Sequence, residues 1–480
     1  MKDPKKTGQL AIEKALKAGA AYADFRLVQT ESESLSYANG APEVSHSIDQ
    51  GFGIRVIADG AWGFCGSADI NKQEISETAQ RAVEIAKASA LLQKIPVKLA
   101  PNSVYEENYI TPIKINPFSI SLNEKLEFLL YLDQLMAKNS DITSRYGFLD
   151  FRRINKHFLS SEGSIIHQEI FQSGAGVQVT AMRSHRDRAS RSWPANEGKF
   201  ENRGYELLGQ TDFTNNIPII CEEAVMVLNA EPCPQKTCDI VLDSSHMSLV
   251  IHESIGHALE LDRVFGGERN FSGSSFATPE NLNKLKYGAD IINVTADPTL
   301  PFGLGTFGFD DDGVKAHKEY LIKDGILLNY LSSRETAARV GKSSTGAMRA
   351  DGWGNVPIVR MTNTNLQPGN QSLDDLISGI DDGIYMQTTS SWSIDDTREN
   401  FQFGCEIGRE IKGGKLGKII KKPTYAGSTV KFWNSCDGIG DKSLWHLWGT
   451  PNCGKGQPAQ NGRVGQGASP ARFRNVKVGV

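Results

Sequence analysis

The chain is short of the features that mark several protein classes. No apolar run is long enough to cross a bilayer, and Met1-Lys2-Asp3-Pro4-Lys5-Lys6 leads into an amphipathic helix around Gln9–Leu16 instead of the apolar core of a signal peptide. The expectation is a cytoplasmic protein with no membrane partner. Basic charge is not in excess: 52 Lys and Arg against 56 Asp and Glu give a net charge of −4, which argues against a nucleic-acid partner. Cysteine is sparse as well. The seven residues at 65, 221, 233, 238, 405, 436 and 453 are odd in number and form no C-x-x-C pair. They read as reduced thiols, some available as metal ligands, and not as a disulfide framework.

What remains is a folded globular composition, 39% apolar and 22% charged, over 480 residues, too many for one ordinary core. The expected class is α+β. An N-terminal domain of mixed helices and strands spans 1–230, divisible into subsegments 1–110 and 111–230. After the Pro232-Cys233-Pro234 linker, a β-rich C-terminal domain spans 231–480. Asp59-Gly60 and Lys323-Asp324-Gly325 predict hairpin turns, and residues 72–92 and 122–132 carry helical spacing. The repeated G-x-G before alternating apolar residues, at Gly51-Phe52-Gly53 and Gly174-Ala175-Gly176, opens no helix. It therefore reads as two sheet edges that tolerate glycine and not as a nucleotide site.

The chemistry concentrates in His252-Glu253-Ser254-Ile255-Gly256-His257, set in an apolar helical run that follows a strand at Asp239–Leu242. Two imidazoles supply neutral nitrogen ligands, and a glutamate beside them can take a proton from an activated water. The spacing is one residue longer than H-E-x-x-H. At 3.6 residues per turn, histidines four apart diverge by about 40°, but five apart by about 140°. A single-turn bulge or a break near Gly256 is needed for both to face one ion. A structural role for the pair is the plainer reading. Burying His252, Glu253 and His257 among Leu249, Val250, Ile251, Ile255 and Leu259 without function would, however, leave polar groups in want of partners.

Two histidines do not hold a catalytic ion; a third protein ligand and an open position are expected. From the residues alone the candidates are Glu260, Asp262, Glu268, Cys405, Cys436, His446 and Cys453, and spacing does not choose among them. Gly266–Ser275, polar and glycine-rich, is a candidate loop beside the site.

The His252–Glu260 segment, Gly305-Thr306-Phe307-Gly308-Phe309-Asp310-Asp311-Asp312-Gly313 and Arg360-Met361-Thr362-Asn363-Thr364 together resemble the TldD/PmbA family of metallopeptidases, historically named modulators of DNA gyrase. Gly51–Ser67 and Cys453-Gly454-Lys455-Gly456-Gln457 add to the likeness. The resemblance implies one Zn2+ per chain on His252, His257 and Cys453, with Glu253 as the catalytic general base. It also implies unfolded or short peptides as substrates, and a homodimer or a heterodimer with a related subunit. Because every ligand is kept, the chain resembles the metal-bearing subunit. The segment also resembles H-E-x-x-G-H of dipeptidyl peptidase III, but the one Glu-Glu pair, Glu222-Glu223, lies upstream of the histidines and not downstream as that family requires. The expected function is zinc-dependent peptide-bond hydrolysis. The alternative is a non-catalytic, metal-stabilised protein acting as a partner subunit or regulator.

Overall fold

One sheet collects every strand between Tyr22 and Glu201. The computed structural model describes residues 3–456 and 459–480, so Met1, Lys2 and Gln457, named above, lie outside the described residues. The long strands β1 (Tyr22–Ala38), β2 (Ala41–Ala58), β3 (Ala61–Ser67), β4 (Glu106–Ile110), β5 (Ile142–Ser160) and β6 (Ile165–Met182) lie in the order β3-β2-β1-β5-β6-β4. Period-two alternation gives this sheet two different faces. Phe25, Leu27 and Leu35 of β1, with Leu149, Phe151 and Leu159 of β5, are buried under helices α1 (Pro4–Lys17), α2 (Lys72–Ala90), α3 (Leu122–Ala137) and α4 (Phe213–Asn229). The other face carries Arg26, Arg152, Lys156 and Gln172 and meets the C-terminal half.

Local signals hold at both predicted hairpins. Asp59 (φ 51°) and Gly60 (φ 80°) turn β2 into β3, and Asp324 (φ 49°) and Gly325 (φ 74°) join Glu319–Lys323 to Ile326–Leu327. Two positive φ values in succession match the twist of the flanking strands. The glycine-rich stretches differ from expectation. Gly51 and Gly53 lie on β2, between β3 and β1, and Gly174 and Gly176 lie on β6, which is also interior. Their glycines make room for neighbouring rings: a Cβ on Gly51 would meet the Trp353 indole at 2.3 Å, and one on Gly174 the Phe200 ring at 2.1 Å. Strand β6 runs unbroken from Ile165 to Met182 through both of its glycines.

The C-terminal half is β-rich, and the protein is α+β. Strands Asp382–Ile394, Lys236–Leu242, Ala471–Val478, Thr424–Ser428 and Asn400–Lys412 pair in that order, and the first pairs again with the last, closing a five-stranded ring. A second sheet runs Ile326–Leu327, Glu319–Lys323, Val294–Ala296, Asn363–Leu366, Gln460–Ala468 and His446–Lys455, with the last at its edge. Helix α5 (Ser244–Ile251) packs between ring and sheet, so Met247, Val250 and Ile251 are all fully buried. It starts where the chain leaves the Lys236–Leu242 strand, and the Asp243 carboxylate accepts the His246 N–H at 2.9 Å as N-cap.

Candidate metal centre

The five-residue histidine step is resolved by a change of helix type. At Ile251 the α-helix gives way to one π turn over His252–Gly256, in which the His257 N–H donates to the His252 carbonyl, and a 3-10 turn over His257–Leu259 follows. The extra residue is absorbed by that wider turn. The two imidazoles converge, with ring centroids 4.8 Å apart at 84°. Gly256 has ordinary helical angles (φ −53°, ψ −64°), so backbone freedom is not why glycine stands there. A Cβ at this position would lie 2.0 Å from the Met361 sulfur. The π turn is also gripped from outside: Trp433 Nε1 donates to Ser254 Oγ at 2.9 Å, and the Tyr287 hydroxyl donates to the Ser254 carbonyl.

The third partner comes from the edge strand His446–Lys455. Cys453 Sγ lies 3.3 Å from His257 Nε2, and ligand atoms of His252, His257 and Cys453 all fall within 4.8 Å of one another. All three side chains are buried. On the far side of His257, Nδ1 donates to Glu260 Oε2 at 2.9 Å, because an ionised carboxylate can only accept; Nε2 is thereby left as the lone-pair nitrogen facing Cys453. Burial pushes the Glu260 carboxyl up, but Lys455 at 3.4 Å, His257 and Arg263 at 3.5 Å outweigh it and hold the group well below the usual carboxylate range. Burial likewise pushes the Cys453 thiol up, yet His257 and Arg360 win and draw it below its ordinary value. Burial lowers His252, whose Nδ1 is enclosed without a hydrogen-bond partner. An orphaned imidazole nitrogen, a thiol poised toward thiolate and a second oriented imidazole are a donor set that fits one divalent cation.

Glu253 faces the same space. Its Oε2 accepts from Arg398 Nη1 at 2.9 Å, and Arg398 holds this position from a left-handed backbone (φ 64°). Such a conformation in a non-glycine residue is uncommon and is kept only where surrounding structure fixes it. Histidines, cysteine, glutamate and arginine line one cavity of about 440 Å³, walled by Trp392 and Trp448 and entered by Glu197, whose carboxyl is pushed up by burial.

The remaining candidates for the third ligand are engaged elsewhere. Asp262 accepts from Lys455 at 2.7 Å, Glu268 accepts the Gly456 N–H at 3.1 Å, and Cys405 is buried on a strand of the ring. Burial pushes the Cys436 thiol up to about 12 beside the Gly438 carbonyl, and His446 packs edge-on against Trp448. Glu260 stands behind His257 and not among the three converging atoms. Among the described residues, no fourth His, Cys, Asp or Glu joins them. Arg398 and Glu197 had no local signature in the sequence; each, like Trp433, reaches the site from a distant segment.

Comparison with known proteins agrees with this architecture. Residues 23–86, 115–226 and 235–480 match, in turn, models of the PmbA/TldA metallopeptidase domain 1, central domain and C-terminal domain. A metalloprotease of Methanocaldococcus jannaschii is 30% identical over 432 residues, covering 89% of this chain and 91% of its own. A protein of Saccharolobus solfataricus named zinc metalloprotease TldD homolog is 24% identical, with 98% of each chain covered. The crystal structure of TldE from Thermococcus kodakarensis shares the fold at a TM-score of 0.73 and 16% identity, covering 98% of this chain and 99% of its own. With all three domain models matched in order along one chain, and a relative at 30% identity across most of its length, the protein belongs to the PmbA/TldA family of metallopeptidases.

Proposed function

We propose that the chain is a zinc-dependent peptidase whose ion is held by His252, His257 and Cys453 and whose general base is Glu253. The observation carrying this reading is the convergence of those three ligand atoms, within 4.8 Å, on the wall of the cavity that Glu253 also lines. Two imidazoles and a thiolate suit zinc, and a relative bears the name zinc metalloprotease. Bound there, the ion supplies Lewis acidity, polarising the scissile carbonyl and making water a stronger acid near neutral pH.

The chain's own residues do the rest. Glu253 takes a proton from the attacking water and returns it to the leaving amine nitrogen. Arg398 fixes one Glu253 oxygen, leaving the other to face the substrate; it is a positioning residue. Glu260 holds the His257 ring in the tautomer that presents Nε2. Trp392 and Trp448 narrow the cavity, limiting water around the reacting bond. The substrate is an unfolded or short peptide. The strand carrying Cys453 is the edge of its sheet, so an extended peptide can pair with its free backbone groups, a mode tolerant of sequence. The chain works as a homodimer or with a TldE-like relative, without nucleic acid.

The test combines elemental analysis with cleavage of an unfolded protein. Chelator should abolish cleavage and added zinc restore it, while Glu253→Gln should keep the metal and lose the activity. Undiminished cleavage by a clean Glu253→Gln preparation would overturn the assigned base.

A further inference from the structure

Behind the strand that carries Cys453, the polar face of the N-terminal sheet meets the C-terminal half around two adjoining cavities of about 70 and 50 Å³. Both are lined by Arg152, Gln172 and Arg349, and their walls add Arg26 and Lys156 on one side and Arg360 and Arg463 on the other. Six cations therefore surround this space. Among the described residues, three carboxylates answer them: Asp311 takes Lys156 at 2.5 Å and Arg26 at 3.8 Å, Asp351 takes Arg152 at 3.6 Å, and Asp150 takes Arg463 at 2.8 Å. Arg349 and Arg360 are given no carboxylate; they donate to the backbone carbonyls of Met361 and Cys453. Asp24 and Asp312 also lie close enough to act on Arg26, but both are paired with Arg55, so Arg349 and Arg360 stay without a carboxylate.

Buried charge without a counter-charge is costly, and these side chains show the strain of crowding. Burial, then repulsion from Arg360, pushes Arg349 down to about 10; burial, then Arg463, lowers Arg152. Their donors are also unspent. The Nε of Arg26, of Arg152 and of Arg360 and Nη1 of Arg463 are enclosed without acceptors, although Arg26 and Arg360 are only 1% and 2% exposed. Each cavity exceeds several times the ~10–15 Å³ that one water needs. Planar guanidinium forks converging on such a space match a tetrahedral oxyanion, which accepts paired N–H donors from several directions.

We propose that this inter-domain chamber is a binding site for a small inorganic oxyanion of the phosphate class. The anion neutralises Arg349 and Arg360, accepts from the free Nε of Arg152 and, through the Arg360 bond to the Cys453 carbonyl, braces the strand behind the metal centre. The probe is inorganic phosphate, with sulfate as a second oxyanion, added to the metal-loaded full chain at ionic strength held constant with sodium chloride. Calorimetric titration should give one phosphate per chain, and the melting temperature should rise by several degrees and saturate. Arg349→Gln, which removes none of the three metal ligands, should keep its metal and lose at least tenfold in phosphate affinity, with Arg152→Gln as the second variant should that protein fold poorly. No saturable shift in the unaltered protein would sink the proposal. So would an equal shift in both variants, which would place the phosphate elsewhere, for instance on the metal.

Discussion

The backbone N–H of His257 donates to the carbonyl of His252, and from the two ends of that bond the imidazoles turn toward each other at 84°. The wider turn is what allows a five-residue step to do the work of a four-residue one. Its packing is tight enough to be tested.

Gly256→Ala should disturb this turn. The new methyl would sit 2.0 Å from the Met361 sulfur, and overpacking of this kind costs about 1–3 kcal/mol. Melting temperature and metal content should both fall, and Met361→Ala in the same chain should restore part of each. A variant indistinguishable from the parent would mean that Met361 moves aside freely.

Ligand assignment can be read from stoichiometry. Cys453→Ala should reduce bound metal to background, whereas Cys436→Ala, paired with Phe473 of the five-stranded ring and 17 residues earlier in the chain, should leave it unchanged. Glu260→Gln keeps the ligands but weakens the hold on the His257 ring, so metal affinity should drop about 10–100-fold. Competition with a chromogenic chelator measures all three.

Arg398 should matter for turnover more than for metal. Arg398→Met frees the Glu253 carboxylate, and misplacement of a reacting group by about 1 Å can cost on the order of a hundredfold in rate. The expected pattern is a lowered kcat with KM and metal content little changed, and partial recovery in Arg398→Lys. A rise in KM alone would instead make Arg398 a substrate-binding group.

Acid stability should depend on His246, which is fully buried between Thr389 Oγ1 at 2.9 Å and the Tyr425 hydroxyl at 2.8 Å. Burial pushes it from 6.5 down to about 3. The unfolded chain therefore takes up this proton first. Stability from the neutral ring is complete above pH 6.5 and is lost as pH falls toward 3, by about 1.4 kcal/mol per unit. Denaturant melts of His246→Asn should show a pH slope shallower by one proton across that window; an unchanged slope would refute the assignment.

Much of this site was legible in the sequence because the signals were local. The arithmetic of 3.6 residues per turn demanded a distortion between His252 and His257, and a π turn supplies it. Asp59-Gly60 and Asp324-Gly325 turned hairpins, each through its own backbone geometry. Residues arriving from afar left no such trace. Arg398 meets Glu253 across 145 positions, and Trp433 meets Ser254 across 179. From the residues alone Cys453 was one of seven possible ligands; the family resemblance singled it out, and folding sets it beside His257. Glycine misled where its cause was a neighbour: Gly51 and Gly174 suggested sheet edges, but Trp353 and Phe200 rest against them in mid-sheet.

His257 and Cys453 stand 196 residues apart in the chain. Whatever grips both therefore cinches a loop larger than many whole domains, and the entropy of closing it grows only slowly with that length. Demetallation should loosen the helix from its neighbouring strand, so that starving the protein of its ion would also mark it for proteolytic disposal.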